Sequence, residues 1–420
     1  MLKRLAFNAY RLTTKRYYVF IVLGAAFIVR MLWVCMFDAK QLSDFAWYLE
    51  RALLISAGTG YVENGVPTAY RPIGYPAFLG GVLYLVHNSL FFAKLVHVAL
   101  SICTIYIFYK LAMWITASKG IAGTAILMLA LYPNQIAYSS LFASEIPFVF
   151  FILLAIYYFV LESRRSMWLS VLSGIFFAAA IMIKPIALFA PLILIFMYKG
   201  GKNRIVTLAL VYIPIFILVG LWTYRNYTIY HAPIFSTSNV GVNLFIGNNP
   251  YANGTYRYDK TVTALIGSPI NELIEGKLAQ QYALEYISRH PLKSVALIPL
   301  KIVHFFLRDY EAVSANYHGM EGTDCFKIGL LKFLIFFSQA YYIVVMVLSV
   351  IGLWLSRKKL FHQYKLAAFF ILYFVGIYIP FFGCDRFHYP VMPFLMLFSA
   401  LAVDKFLKGR GALSQEYSSF

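Results

Sequence analysis

Long uninterrupted apolar runs decide what this chain can fold into. Tyr17 to Phe37 is one such run, and others recur along the sequence, separated by short charged segments. A helix needs roughly 20 apolar residues to cross a bilayer. Backbone groups in lipid must bond within their own segment, which makes helices the default. The runs lack the alternation of ~10-residue membrane β-strands. They predict an all-α integral membrane fold, with residues 1–420 forming a single polytopic domain. Composition agrees, since 61% of the residues are hydrophobic and 13% charged.

Ten spans are expected, at about 17–37, 91–115, 120–139, 146–162, 168–185, 186–198, 205–224, 330–355, 366–383 and 390–407. Residues 75–87 are apolar but short, and read as interfacial or re-entrant. The first run follows Lys3, Arg4, Arg11, Lys15 and Arg16, is too long for a signal sequence and lacks a small-residue cleavage pattern, so it reads as an uncleaved span.

The charges orient the chain. Segments 1–16, 116–119, 163–167, 199–204, 356–365 and 405–420 hold 18 Lys and Arg but one acid, Glu416, whereas 14 of the 17 acids fall on the other side. Positive residues favour the cytoplasmic side. Both termini are therefore expected in the cytoplasm of a cell in whose inner or plasma membrane the chain sits. The net charge of +19 belongs to these loops, and with no nucleic-acid motif beside it the chain is not expected to bind nucleic acid.

Two outward loops are long, 38–90 and 225–329, and long loops tend to carry function. The first opens with Ser43-Asp44-Phe45-Ala46-Trp47-Tyr48 and reads as an amphipathic surface helix running to Ala57. The second combines turn-rich sequence around Gly247-Asn248-Asn249-Pro250 with a helix at about 270–288. An apolar stretch at 294–307, interrupted by Lys301 and His304, reads as interfacial.

Several residues at these edges invite chemistry, and each has a plainer alternative. Asp44 is an acid at a helix start, where it could equally be a cap. Arg71 stands before an interfacial helix, where it could bind lipid headgroups. Glu145, after Ser144, opens a span, and capping would also suit it. Arg30, Lys94, Lys184, Arg225 and Arg386 lie near the outer ends of spans, with Arg30 roughly 20 Å from the inner end. Such cations suit a phosphate carried on a lipid. They could also pair with Asp44, Glu145, Asp309 or Asp385. His87, His97, His304 and His388 read as packed or interfacial. No His/Cys cluster has zinc spacing, no phosphate-binding glycine loop is present, and no Gly-x-Ser-x-Gly elbow occurs. Of the four cysteines, Cys325 and Cys384 both fall outside and could pair, while unpaired apolar cysteine is the alternative.

Taken in order, these segments resemble the GT-C glycosyltransferases, and within them the bacterial protein-mannosyltransferase and aminoarabinose-transferase group. Asp44, Tyr48, Ala52 and Gly58-x-Gly60-Tyr61, followed by Arg71-Pro72-x-Gly74-Tyr75-Pro76, resemble the first outer loop of that family. Tyr132-Pro133 with Ser144-Glu145, Lys184-Pro185, Arg225-Asn226-Tyr227, Gly247-Asn248-Asn249-Pro250 with Gly254, and Arg386-Phe387-x-x-Pro390-x-x-Pro393 are similar to later motifs. Eukaryotic protein mannosyltransferases carry Asp-Glu where this chain has Asp44-Phe45.

The resemblance implies an inverting transferase that takes a sugar from a polyprenyl-phosphate carrier at the outer face. The acceptor would be a cell-envelope glycan, a glycolipid or a protein. Asp44 would be the general base, and Glu145 would orient its partners or bind sugar hydroxyls. Arg71, Lys184 and Arg386 would hold the donor phosphate and stand in for a metal, so no cofactor is implied, with a divalent metal left open. Tyr48, Tyr75, Arg225 and Asn248 would be further substrate contacts. Two rival readings are a flippase or transporter of a lipid-linked glycan and a non-catalytic membrane scaffold. A transporter would gather polar groups near the midplane within related repeats, and the sequence has neither feature.

Overall fold

A computed structural model describes residues 10–162, 167–194, 204–267, 271–320 and 324–408. Part of the basic segments used to orient the chain (Lys3, Arg4, loops 163–166 and 199–203, and the tail with Glu416) lies outside the described residues, as do residues 195–198 of the expected sixth span.

The described residues are mostly helical. The elements are α1 Tyr18–Met36, α2 Ser43–Ser56, β1 Val62–Glu63, β2 Val66–Pro67, α3 Gly74–Leu85, α4 Leu90–Thr116, α5 Lys119–Ala130, α6 Pro133–Tyr138, α7 Glu145–Glu162 and α8 Trp168–Ile183. They continue with α9 Arg204–Tyr230, α10 Val240–Gly247, α11 Glu272–Arg289, α12 Pro291–Phe306, α13 Glu311–Gly319, α14 Cys325–Ser356, α15 Lys365–Tyr378 and α16 Met392–Lys408.

Among the described residues five helical stretches are long and apolar enough to cross a membrane, at Tyr18–Met36, Leu90–Thr116, Ile205–Tyr230, Cys325–Lys359 and Asp385–Lys408. The expected third, fourth, fifth and ninth spans are shorter apolar helices. The sixth begins in short pieces at Pro185–Ala187 and Ala190–Ile193.

The expected span 120–139 is broken. Helix α5 stops at Ala130, and Pro133 opens α6, since proline suits a first helical position and cannot continue a helix. Arg30, fully buried, donates to the Ala130 carbonyl at 2.9 Å, to Ser101 Oγ at 2.7 Å and to Gln135 Oε1 at 3.3 Å. It satisfies this helix end rather than joining the other cations, because a carbonyl freed in an apolar bundle needs a donor.

Helix α16 is the axis of the bundle. It is buried along most of its length between α14, α5 and α15. The outer helices α1, α9 and α14 show Phe20, Ile21, Phe216, Ile217, Phe333 and Phe336 to the surroundings. Large exposed apolar faces of this kind suit lipid.

Both long loops pack on one end of the bundle, here called the loop side. Helices α9 and α14 extend further than expected, which shortens the second loop to 231–324. The first loop turns through Asn64-Gly65, both at positive φ, a pairing that closes a tight hairpin between β1 and β2. Gly74 opens α3 directly against the backbone of Met182 at the end of α8, and a Cβ there would collide with it. That approach sets Arg71 and Lys184 on neighbouring elements.

Candidate active site

Five charged side chains meet at the loop side. Arg71 pairs with Asp44 Oδ1. Asp44 Oδ2 accepts from Arg386 Nη1 at 2.9 Å. Arg386 also donates through Nε at 3.0 Å and Nη2 at 2.9 Å to Glu145 Oε1, which accepts from Lys184 Nζ at 2.9 Å. The result is an alternating chain, Arg71–Asp44–Arg386–Glu145–Lys184, with three cations and two anions. Its members come from α2, the loop before α3, the start of α7, the end of α8 and the turn before α16.

Neither acid is a cap. The N-cap of α2 is Leu42, which has no side-chain bond, and the Asp44 carboxylate points to the two arginines. Glu145 spends Oε1 on Lys184 and Arg386, and Oε2 is buried without a partner.

The two carboxylates differ in access. The Asp44 side chain is 29% exposed, while that of Glu145 is fully covered. Of the two roles the resemblance implies for Glu145, binding sugar hydroxyls does not fit a sealed side chain, whereas orienting Arg386 and Lys184 does. Burial pushes the Asp44 carboxyl up, but the nearby Arg386 and Arg71 outweigh it and hold the group down at about 2. Asp44 is therefore ionised at any physiological pH.

Aromatic rings hold the cations in place. The Arg71 guanidinium lies 5.1 Å from the Trp47 ring centre and 5.8 Å from that of Tyr48, and Arg386 lies 5.2 Å from Phe45. Tyr48 thus touches the ion chain. Tyr75 sits behind it, fully buried, edge-on to Tyr48 and bonded to His97 Nε2 at 3.0 Å.

The remaining candidates are staples. Arg225 donates to the Thr68 carbonyl at 2.9 Å and the Tyr61 carbonyl at 3.3 Å, tying α9 to the first loop. Asn248 donates to the Pro380 carbonyl at 2.7 Å and accepts from the buried Lys301 at 3.3 Å. This fixes the end of α15 from which the Arg386 turn departs. Lys94 pairs with Asp38. Neither Tyr75, Arg225, Asn248, Arg30 nor Lys94 belongs to the ion chain, because each already has its own partner elsewhere. All four cysteines are free.

Two further acids belong to the second loop. Asp309 is fully buried. It accepts from Tyr132 Oη at 2.7 Å and Asn134 Nδ2 at 2.6 Å, with His388 Nε2 at 3.4 Å. The Tyr132-Pro133-Asn134 segment is thereby pinned to the second loop. Burial together with the neighbouring Asp385 pushes the Glu311 carboxyl up. The sequence offered Asp309 as a possible partner of the outer cations and His388 as a packed or interfacial residue.

Beside Arg71 a cleft of about 410 Å³ opens between the first loop and α11, lined by Trp47, Glu63, Tyr70, Arg71, Asn271, Glu272 and Glu275. That is within the range of small-molecule sites. Among the described residues no three His, Cys, Asp or Glu side chains gather as a metal would require.

Comparison with known proteins follows this geometry. Residues 70–224 match the family described as dolichyl-phosphate-mannose-protein mannosyltransferase. The match spans Arg71, Tyr75, Glu145 and Lys184 and leaves out Asp44 and Arg386. Among solved structures, the oligosaccharyltransferase AglB of Archaeoglobus fulgidus, bound to an inhibitory peptide and a dolichol-phosphate, is 14% identical with a TM-score of 0.51. The same enzyme with Zn and sulfate is 15% identical with a TM-score of 0.53.

The fold is that of the GT-C membrane glycosyltransferases.

The AglB alignments cover 92% of this chain and 50% and 48% of AglB, so the chain spans about half the length of that enzyme. ArnT of Cupriavidus metallidurans, bound to undecaprenyl phosphate, is 12% identical, covers 94% of this chain and 79% of its own, and has a TM-score of 0.44. No curated protein sequence matches. In this GT-C fold the ion chain stands where the two long loops meet the bundle.

Proposed function

We propose that this chain is an inverting glycosyltransferase that moves a sugar from a polyprenyl-phosphate carrier to a cell-envelope glycan, glycolipid or protein. The observation that carries the reading is Asp44, the accessible carboxylate of the ion chain, held between two arginines, one of which, Arg71, lines a cleft.

The chemistry balances with these side chains. The acceptor hydroxyl gives its proton to Asp44 as its oxygen bonds to the anomeric carbon, and the bond from that carbon to the carrier phosphate breaks. The electron pair leaves with the phosphate oxygen. Arg71, Arg386 and Lys184 stabilise the added negative charge in place of a divalent metal. Glu145 is a positioning residue that holds Arg386 and Lys184 at their spacing. The acceptor approaches through the cleft lined by Trp47, Tyr70 and Arg71.

A carboxyl held near 2 is a weak base, because two arginines stabilise its ionised form. A donor phosphate that draws Arg71 and Arg386 toward itself removes that stabilisation, and Asp44 becomes more basic. Binding of the donor therefore switches on the base. The loop side faces the exterior in this reading, the termini lie in the cytoplasm, and the host membrane is the inner or plasma membrane.

The test compares lipid-linked sugars and surface glycans in cells that carry the wild type, the Asp44→Asn variant or no gene. The expected result is a donor that accumulates beside a glycan lacking one residue in the latter two. Wild-type glycans in cells making only Asp44→Asn would overturn the assignment of the base. A reporter fused at Lys260 should be active outside the cell membrane.

A further inference from the structure

At the end of the bundle opposite the ion chain lies a second cavity, of about 300 Å³. It is lined by Leu355, Ser356, Arg357, Lys358, Lys359, Tyr364 and Lys405. Helix α16 separates the two places. Arg386 precedes its start and Lys405 sits near its end, and at ~1.5 Å per residue Met392 and Lys405 are roughly 20 Å apart. The cavity is therefore independent of the proposed transfer chemistry.

Four cations share this one space, and among the described residues none of them pairs with a carboxylate. Asp404, beside Lys405 in the sequence, is occupied by Lys408 at 2.7 Å and by Tyr10. Lys405 donates to the Leu355 carbonyl at 2.7 Å, and Arg357 donates to the Trp354 carbonyl at 3.1 Å. Those bonds fix the two side chains at the end of α14 and leave spare donors on each, since an ammonium has three and a guanidinium five. Basic residues at a helix end also complement its negative pole, but that role needs no shared cavity.

The depth of the cavity identifies its occupant. Trp354 is 62% exposed at the end of an apolar helix, with the Arg357 guanidinium stacked 4.7 Å from its ring centre. Exposed tryptophan at the end of a spanning helix sits at the level of lipid headgroups. Basic pockets between spanning helices at that level take anionic headgroups.

We propose that this cavity binds the phosphodiester of an anionic membrane lipid, held by Arg357, Lys358, Lys359 and Lys405. A soluble phosphate has the same charge chemistry, and the test separates the two sources.

Full-length protein is reconstituted in vesicles of equimolar phosphatidylglycerol and phosphatidylcholine, extracted, and weighed intact with its retained lipids. Wild type should keep phosphatidylglycerol in preference to phosphatidylcholine. The double variant Lys358→Gln/Lys405→Gln should lose that retention by about 25-fold, at roughly fivefold per cation. Lys358→Arg/Lys405→Arg should keep it, and so should Lys119→Gln, which removes a cation elsewhere. Unchanged retention in the folded glutamine variant would overturn the proposal. Should that variant fail to fold, wild type decides alone, and no preference for phosphatidylglycerol overturns the site. Inorganic phosphate bound to detergent-purified protein, without phosphatidylglycerol retention, would overturn the lipid as its source.

Discussion

Two buried acid clusters lie close together at the loop side, and they are built to opposite plans. In the ion chain, Asp44 and Glu145 face three cations, and the outermost carboxylate remains open. Around Asp309, by contrast, the donors are mainly neutral, from Tyr132 and Asn134, and nothing is open. Burial of a carboxylate is common to both. What separates them is an excess of positive charge and a path to solvent. A cluster with both can exchange one of its anions for a phosphate, whereas a sealed cluster can only hold the fold.

The contrast can be broken by substitution. Asp44→Asn keeps the size of the side chain and removes the base. Transfer from a lipid-linked donor should fall by roughly 10²–10⁴-fold, with little change in thermal unfolding in detergent. Arg386→Ala removes the hub of the ion chain. It should lower both donor use, by roughly 10²–10³-fold, and stability, because Glu145 is left buried with Lys184 alone. Arg386→Lys should recover more stability than transfer, since an ammonium cannot fork between two carboxylates.

Asp309→Ala probes the sealed cluster. It strands the Tyr132 and Asn134 donors and should cost about 1–3 kcal/mol in unfolding. Transfer per folded molecule should stay close to wild type. A collapse of transfer with unchanged stability would move Asp309 into the working site.

The smallest effect is expected from pH. Asp44 is held at about 2 against an ordinary 3.8. A carboxyl whose folded value is depressed contributes stability above its unfolded value, and that contribution is lost as pH falls through the folded one. Unfolding followed from pH 7 to pH 5 should therefore show no loss that Asp44→Asn abolishes. Such a loss should emerge only below about pH 4.

Much of the frame was legible because a period of 3.6 and a run of apolar residues are local properties. Helices α1, α2, α4, α7, α11 and α12 fall within a few residues of expectation. The break at Leu131–Tyr132 was not, since the apolar run continues across it and only Pro133 marks the stop. At the site, Glu145, Lys184 and Arg386 were nameable from their positions at span ends, and Asp44 and Arg71 from the first long loop. Their pairing was not, because Asp44 and Arg386 are joined by the folding of distant segments. The protein partners of Arg225, Asn248 and Arg30 were not legible either, for a shared reason. A polar side chain in a loop motif looks the same whether it meets a substrate or a backbone carbonyl.

The alternating ion chain has a consequence for electroneutrality through a catalytic cycle. Three cations and two carboxylates leave it one positive charge in excess. A phosphodiester donor carries one negative charge, so the loaded site is neutral. When the sugar leaves, the carrier becomes a phosphate monoester that gains a second negative charge, and Asp44 gains the acceptor's proton. The total does not change. The second ionisation of a phosphate monoester lies near 6, well above the ordinary 3.8 of an aspartate released by its arginines. The spent carrier can thus take the proton from Asp44 and depart as a monoanion, returning the base to its ionised state without help from solvent.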